Sequence, residues 1–102
     1  MTVLLDPERR EIATFFAIAG DLTYKRILEV GAGDGRLTWL VAERADLVDA
    51  IEPNPDRFGR ATQDLPAHLQ GRVRLFNDNL EEFYLADQTT GAYDLGILSW
   101  SL

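Results

Sequence analysis

Apolar residues in this chain follow two alternating patterns. Short apolar runs bounded by glycine, proline, asparagine or aspartate read as strands, and between them apolar residues recur at helical spacing. Met1 to Leu5 is a short apolar lead-in. Asp6-Pro7-Glu8 then offers an N-cap, a proline at the first helical position and an acid in the first turn. Ile12, Phe15, Phe16 and Ala19 share one helical face before Gly20, which predicts a leading amphipathic helix over 6–20. That helix either packs on a sheet or closes over a substrate. Ile27, Leu28 and Val30 mark a first strand, interrupted by Glu29, and Leu37, Leu40 and Val41 mark a helix over 36–44. Leu47 to Ile51 is a second strand ending at Glu52. Asn54-Pro55-Asp56 repeats the cap-and-proline signature and opens a helix that Pro66 stops. Val73, Leu75 and Phe76 give a third strand, Leu80 to Leu85 a short helix, and Tyr93 to Leu98 a fourth strand after a polar loop.

Strands alternating with helices specify the α/β class: a doubly wound, mostly parallel four-stranded sheet with flanking helices, in a single domain over 1–102. The first two strands and the helix between them form a βαβ unit, whose crossover is expected to be right-handed. Ligands in such sheets bind outside the carboxyl ends of the strands, where the strand order reverses. Glu52 and Asp78 are the acids placed at the carboxyl ends of the second and third strands.

Composition narrows the function classes. Hydrophobic residues at 46% and charged residues at 26% describe a globular domain, not a disordered chain. A net charge of −7 argues against a broad electrostatic footprint on nucleic acid, which is therefore not the expected partner. There is no cysteine, so disulfides, thiolate metal sites and a cysteine nucleophile are excluded. The one histidine, His68, lies in a link away from the strand ends, and no acid cluster has calcium-loop spacing, so no metal site is expected. Arg9, Arg10, Arg36, Arg44, Arg57, Arg60, Arg72 and Arg74 are scattered and read as solvated surface. The amino terminus lacks a basic leader and no apolar run approaches a membrane span, so a soluble cytoplasmic protein with no membrane partner is expected.

Chemistry concentrates between the first strand and the first helix. Gly31, Gly33 and Gly35 alternate with Ala32 and Asp34, so the backbone can take positive φ and a ligand can approach it closely. The helix that follows offers unpaired N–H groups to the same point, which suits an anion or a polar small molecule. Counting from Gly31 and Gly33, the third glycine of a dinucleotide fingerprint would fall on Arg36, so that pattern fails.

The run Glu29-Val30-Gly31-Ala32-Gly33-Asp34-Gly35 resembles the first motif of the class I S-adenosylmethionine-dependent methyltransferases, an acidic residue followed by G-x-G-x-G. The resemblance extends from Ile27 to Leu102 as four motifs in order. It implies S-adenosylmethionine as cofactor, with Glu29 near the methionine ammonium and Gly31, Ala32, Gly33 and Gly35 forming the close-approach turn. Glu52 would accept from the ribose hydroxyls and Pro53 would lie against the adenine face. Asp78 would accept from the adenine amine, with the Asn79 N–H facing the ring; an Asx turn or a helix N-cap at these two residues is the alternative. Tyr93 to Ser101 resembles the fourth motif, which places Ser99 beside the methyl group. Trp100 could wall a substrate pocket or cover the sheet. The run Ser99-Trp100-Ser101-Leu102 lacks the prolines of families that methylate exocyclic base amines.

The implied activity is methyl transfer to an unidentified acceptor, with no catalytic residue assigned. A non-catalytic S-adenosylmethionine-binding module and a nucleotide-dependent oxidoreductase are the alternatives. Because the resembled sheet has seven strands and this chain reaches its fourth, the reading is of a cofactor-binding half. Its fourth strand would be an unpaired apolar edge open to self-association.

Overall fold

The computed structural model of the protein describes residues 2–5, 16–17, 20–86 and 93–99. Five strands form one sheet: β1 (Thr2–Leu5), β2 (Arg26–Val30), β3 (Leu47–Ile51), β4 (Val73–Phe76) and β5 (Leu95–Ser99). Among the described residues the complete α-helices are α1 (Arg36–Ala42), α2 (Pro55–Asp64) and α3 (Leu80–Ala86). The strand order is β1-β5-β2-β3-β4 and every neighbouring pair is parallel. The chain steps outward from β2 through β3 to β4, then returns to place β5 on the other flank of β2. The order therefore reverses between β2 and β5, which is where a doubly wound sheet opens a crevice.

The fold class and the four expected strands are present, and the lead-in adds a fifth. Residues Thr2 to Leu5 pair with Gly96 to Ser99 in parallel register. The edge of β5 expected to be open is thus covered by β1, and the expectation of self-association through it is corrected. Parallel neighbours need a long connection, so nothing near Met1 in sequence could announce this partner.

One face of the sheet carries the larger part of the core. Ile27 and Glu29 in β2, Val48 and Ala50 in β3, Val73 in β4, and Leu95 and Ile97 in β5 are buried. On α1 the face turned inward is Leu37, Thr38, Val41 and Ala42, while Leu40 is largely exposed. Leu37 and Val41 lie on the expected face, and Thr38, whose hydroxyl meets a buried acceptor described below, is buried where Leu40 is not.

Of the leading helix expected over 6–20, only Phe16, Ala17 and the terminal Gly20 are among the described residues. Phe16 and Ala17 are helical, Phe16 packs against the core and the Arg44 guanidinium stacks on its ring, 3.8 Å from the centroid. Gly20 takes φ +71° and donates its N–H to Phe16 O, a left-handed helix end. Two acids bond across neighbouring strands. Asp94 binds both backbone groups of Arg26, its Oδ2 accepting from Arg26 N at 2.8 Å and its N–H donating to Arg26 O at 2.8 Å. Asp49, fully buried in β3, accepts a bidentate pair from Arg74 Nε and Nη2, both at 2.6 Å, and a hydrogen bond from the Tyr93 hydroxyl. Arg74 is thus not merely solvated surface. Among the described residues no helix is long and apolar enough to cross a membrane.

Candidate functional site

The turn after β2 meets the end of β3 at the carboxyl edge of the sheet. Gly31, Gly33 and Gly35 have φ of 84°, 63° and 94°, values that side chains resist. The N–H groups of Gly31 and Ala32 donate to Ile51 O at 2.9 and 3.1 Å, and Gly33 N donates to Glu52 Oε1 at 2.8 Å. Gly35 N donates to Ala32 O at 3.1 Å. Asp34 Oδ1 takes the N–H of Arg36 at the start of α1, at 3.3 Å, and also its Nε at 3.2 Å. Of the anion or polar small molecule expected at this turn, the arrangement favours the polar molecule: the N–H groups of Gly31, Ala32, Gly33 and Gly35 already have acceptors, and a carboxylate stands at the helix start.

Gly35 has a second reason to be glycine. A Cβ there would lie 2.3 Å from the Trp39 ring one helical turn on, so the indole occupies the space a side chain would need. That requirement is packing, not ligand approach.

Glu52 is 6% exposed at the end of β3. Its Oε1 accepts from Gly33 N and its Oε2 from Asn54 N, each at 2.8 Å. An ionised carboxylate has about four lone-pair directions, so two remain for a ligand with paired hydroxyls. Pro53 follows, exposed. Asn54 Oδ1 caps α2 by accepting from Asp56 N at 2.9 Å and Arg57 N at 3.1 Å, as the cap-and-proline signature implied.

At the end of β4, Asp78 is half-buried beside this edge. Asn79 forms a reciprocal capping box with Glu82: Asn79 N donates to Glu82 Oε1 at 3.1 Å, and Glu82 N donates to Asn79 Oδ1 at 2.8 Å. The helix-cap alternative is thus realised at Asn79, and its N–H is engaged by Glu82. Glu29 is 1% exposed and accepts from the Thr38 hydroxyl, so it ties α1 to β2 from within the core. Ser99 ends β5 beside the crevice, Val30 and Leu98 being register partners there; Trp100 lies outside the described residues.

Sequence reasoning missed Asn77. Its side-chain nitrogen donates to Glu52 O at 2.9 Å and Pro53 O at 3.3 Å. The signal available was a polar Asn-Asp-Asn run directly after an apolar strand. His68 lies away from this edge, its Nε2 2.6 Å from Glu43 Oε1. Among the described residues, no group of three or more histidines and acids is placed to hold a metal ion.

No family model matches the chain. It is 39% identical over 69 residues to the ribosomal RNA small subunit methyltransferase A of Brucella canis, covering 67% of this chain and 25% of that protein. The chain thus spans about a quarter of the length of the curated relatives it matches. Among solved structures, the 23S rRNA methyltransferase ErmE superposes with a TM-score of 0.61 and 27% identity, over 74% of this chain and 30% of that one. The phosphoethanolamine N-methyltransferase 1 of Haemonchus contortus, solved with phosphoethanolamine and S-adenosylhomocysteine, superposes with a TM-score of 0.55 and 26% identity, over 63% and 13%. Two of these three proteins are named for ribosomal RNA, which leaves the expectation against nucleic acid without support.

Proposed function

The chain belongs to the class I S-adenosylmethionine-dependent methyltransferases, and we propose that it holds S-adenosylmethionine at the carboxyl ends of β2, β3 and β4, for methyl transfer to RNA. The observation that carries this reading is the fixed carboxylate of Glu52, pinned by Gly33 N and Asn54 N with acceptor capacity left for a vicinal diol. The turn also suits a cofactor without phosphates. The N–H groups of Gly31, Ala32, Gly33 and Gly35 are used internally and the Asp34 carboxylate would repel a pyrophosphate, which disfavours the nucleotide-dependent oxidoreductase.

In this reading Gly31 to Gly35 pass under the amino-acid part of the cofactor, and Glu52 accepts from both ribose hydroxyls. Pro53 and Asp78 flank the adenine, and a contact from Asn79 N–H requires Glu82 to release it. Glu29 acts through Thr38 and α1, setting the floor of the turn, and Ser99 lies nearest the transferred group. When bound, S-adenosylmethionine supplies a methyl group on a sulfonium that is already a good leaving group, so the protein's work is binding, alignment and exclusion of water. RNA as the acceptor rests on the relatives named for ribosomal RNA.

Calorimetry with S-adenosylhomocysteine tests the cofactor site, with NADH as control. Saturable one-to-one binding of the first and none of the second is expected; NADH binding alone overturns the reading. Label from methyl-tritiated S-adenosylmethionine should appear in unmodified ribosomal RNA, and its appearance only in protein or small molecules would remove RNA as acceptor.

A further inference from the structure

Three strand ends meet at the candidate site, and one side chain joins two of them without facing the crevice floor. The β3–β4 ladder ends where Glu52 N donates to Phe76 O at 2.9 Å. Past that bond the chain at Glu52, Pro53 and Asn54 turns away toward α2, and the carbonyls of Glu52 and Pro53 are no longer part of the sheet. Asn77, the next residue after Phe76, supplies the missing donor. Its Nδ2 lies 2.9 Å from Glu52 O and 3.3 Å from Pro53 O. Both partners are carbonyl oxygens, which only accept, so the amide must present its nitrogen to them. The backbone bond from Glu52 N and these two side-chain bonds hold the turn on both sides of the Glu52 Cα.

That turn decides where the Glu52 carboxylate points. One oxygen reaches back to Gly33 in the β2 turn and the other forward to Asn54, so a rotation of the Glu52–Pro53 peptide would displace the Asn54 N–H and leave the carboxylate held at one oxygen only, free to swing away from Gly33. We infer that Asn77 is a positioning residue: by bridging Glu52 O and Pro53 O it orients the Glu52 carboxylate against the glycine turn and toward the cofactor ribose. The ribose part of this statement rests on the proposed function; the hold on Glu52 does not.

Two readouts separate these parts. In the ligand-free chain, amide exchange followed by NMR reports directly on Gly33 N–H and Asn54 N–H, the two donors to Glu52. Asn77→Ala should accelerate both by about tenfold, the loss of one to two ordinary hydrogen bonds, while Val48 N–H, bonded to Arg72 O in the sheet, stays within about twofold. Calorimetry with S-adenosylhomocysteine should show Asn77→Ala weakening binding by about five- to twentyfold, yet by less than about twofold when Glu52 is already alanine, because the effect passes through Glu52. Asn77→Asp, which keeps the shape but sets an acceptor against two carbonyls, should match or exceed the alanine effect, and it carries both readouts if the alanine variant fails to fold. Unchanged exchange at Gly33 and Asn54 overturns the inference, as does an equal loss of affinity with and without Glu52, which would mean a general structural role. Absence of binding by the wild-type chain would instead overturn the proposed function, and the exchange experiment would still decide the role of Asn77.

Discussion

Gly33 and Glu52 stand nineteen positions apart in sequence, yet the Gly33 N–H donates to Glu52 Oε1 at 2.8 Å within a buried contact. The same carboxylate that is proposed to take the ribose therefore also shapes the glycine turn. Glu52→Ala should remove two charge-assisted ribose bonds and release the turn, costing about 2–4 kcal/mol, or roughly 30- to 1000-fold in affinity for S-adenosylhomocysteine. Titration calorimetry is the check, and unchanged affinity would take Glu52 out of the site.

Gly35→Ala is expected to damage the fold more than the ligand site. The new Cβ meets the Trp39 ring at 2.3 Å and the residue must hold φ +94°. Strain and displaced packing together should cost about 2–4 kcal/mol. A lowered urea midpoint accompanied by a shift in tryptophan emission would report it, whereas a wild-type midpoint would show that Trp39 moves aside freely.

The Tyr93 hydroxyl bonds buried Asp49, which also holds Arg74. Tyr93→Phe should cost about 1 kcal/mol, an ordinary hydrogen bond. Asp49→Ala should cost more, about 2–3 kcal/mol, less than a fully buried pair because Arg74 is half exposed. The two losses should be non-additive in a double-mutant cycle by denaturant unfolding; strict additivity would mean the residues do not share a network.

Tyr24 is 86% exposed and takes φ +63° in the turn closed by Lys25 N to Leu22 O. A left-handed conformation costs a residue with a Cβ about 1–2 kcal/mol, part of which glycine returns as entropy in the unfolded chain. Tyr24→Gly should therefore stabilise by about 0.5–1 kcal/mol, seen as a raised denaturation midpoint.

In the same turn the Thr23 hydroxyl, and then its backbone N–H, hold the Asp21 carboxyl below the usual aspartate range. A carboxyl with a lowered folded-state pKa stabilises the fold above its unfolded titration range, and that contribution is lost as pH falls through the folded value. Carbon-detected NMR titration should find Asp21 below the usual aspartate value, and Thr23→Val should return it toward the ordinary range. No change in that variant would place the cause elsewhere.

Local pattern in this chain was enough to specify the alternation of strands and helices, the Asn54 cap ahead of Pro55, and the acids at two strand ends, because periodicity and capping act over a few residues. Closure of the next cap by Glu82 was found in the structure, whereas a helix N-cap at Asp78 or Asn79 was legible as an alternative. Which groups meet across the sheet was not. The seating of Thr2–Leu5 against β5, the use of Glu29 by Thr38, the pairing of Asp49 with Arg74 and Tyr93, and the grip of Gly33 and Asn77 on Glu52 all join residues separated by long crossovers. Parallel pairing leaves those partners unspecified in any short window of sequence. Only the packed sheet brings them within hydrogen-bond distance, and there it sets the Glu52 carboxylate against the Gly33 N–H of the glycine turn.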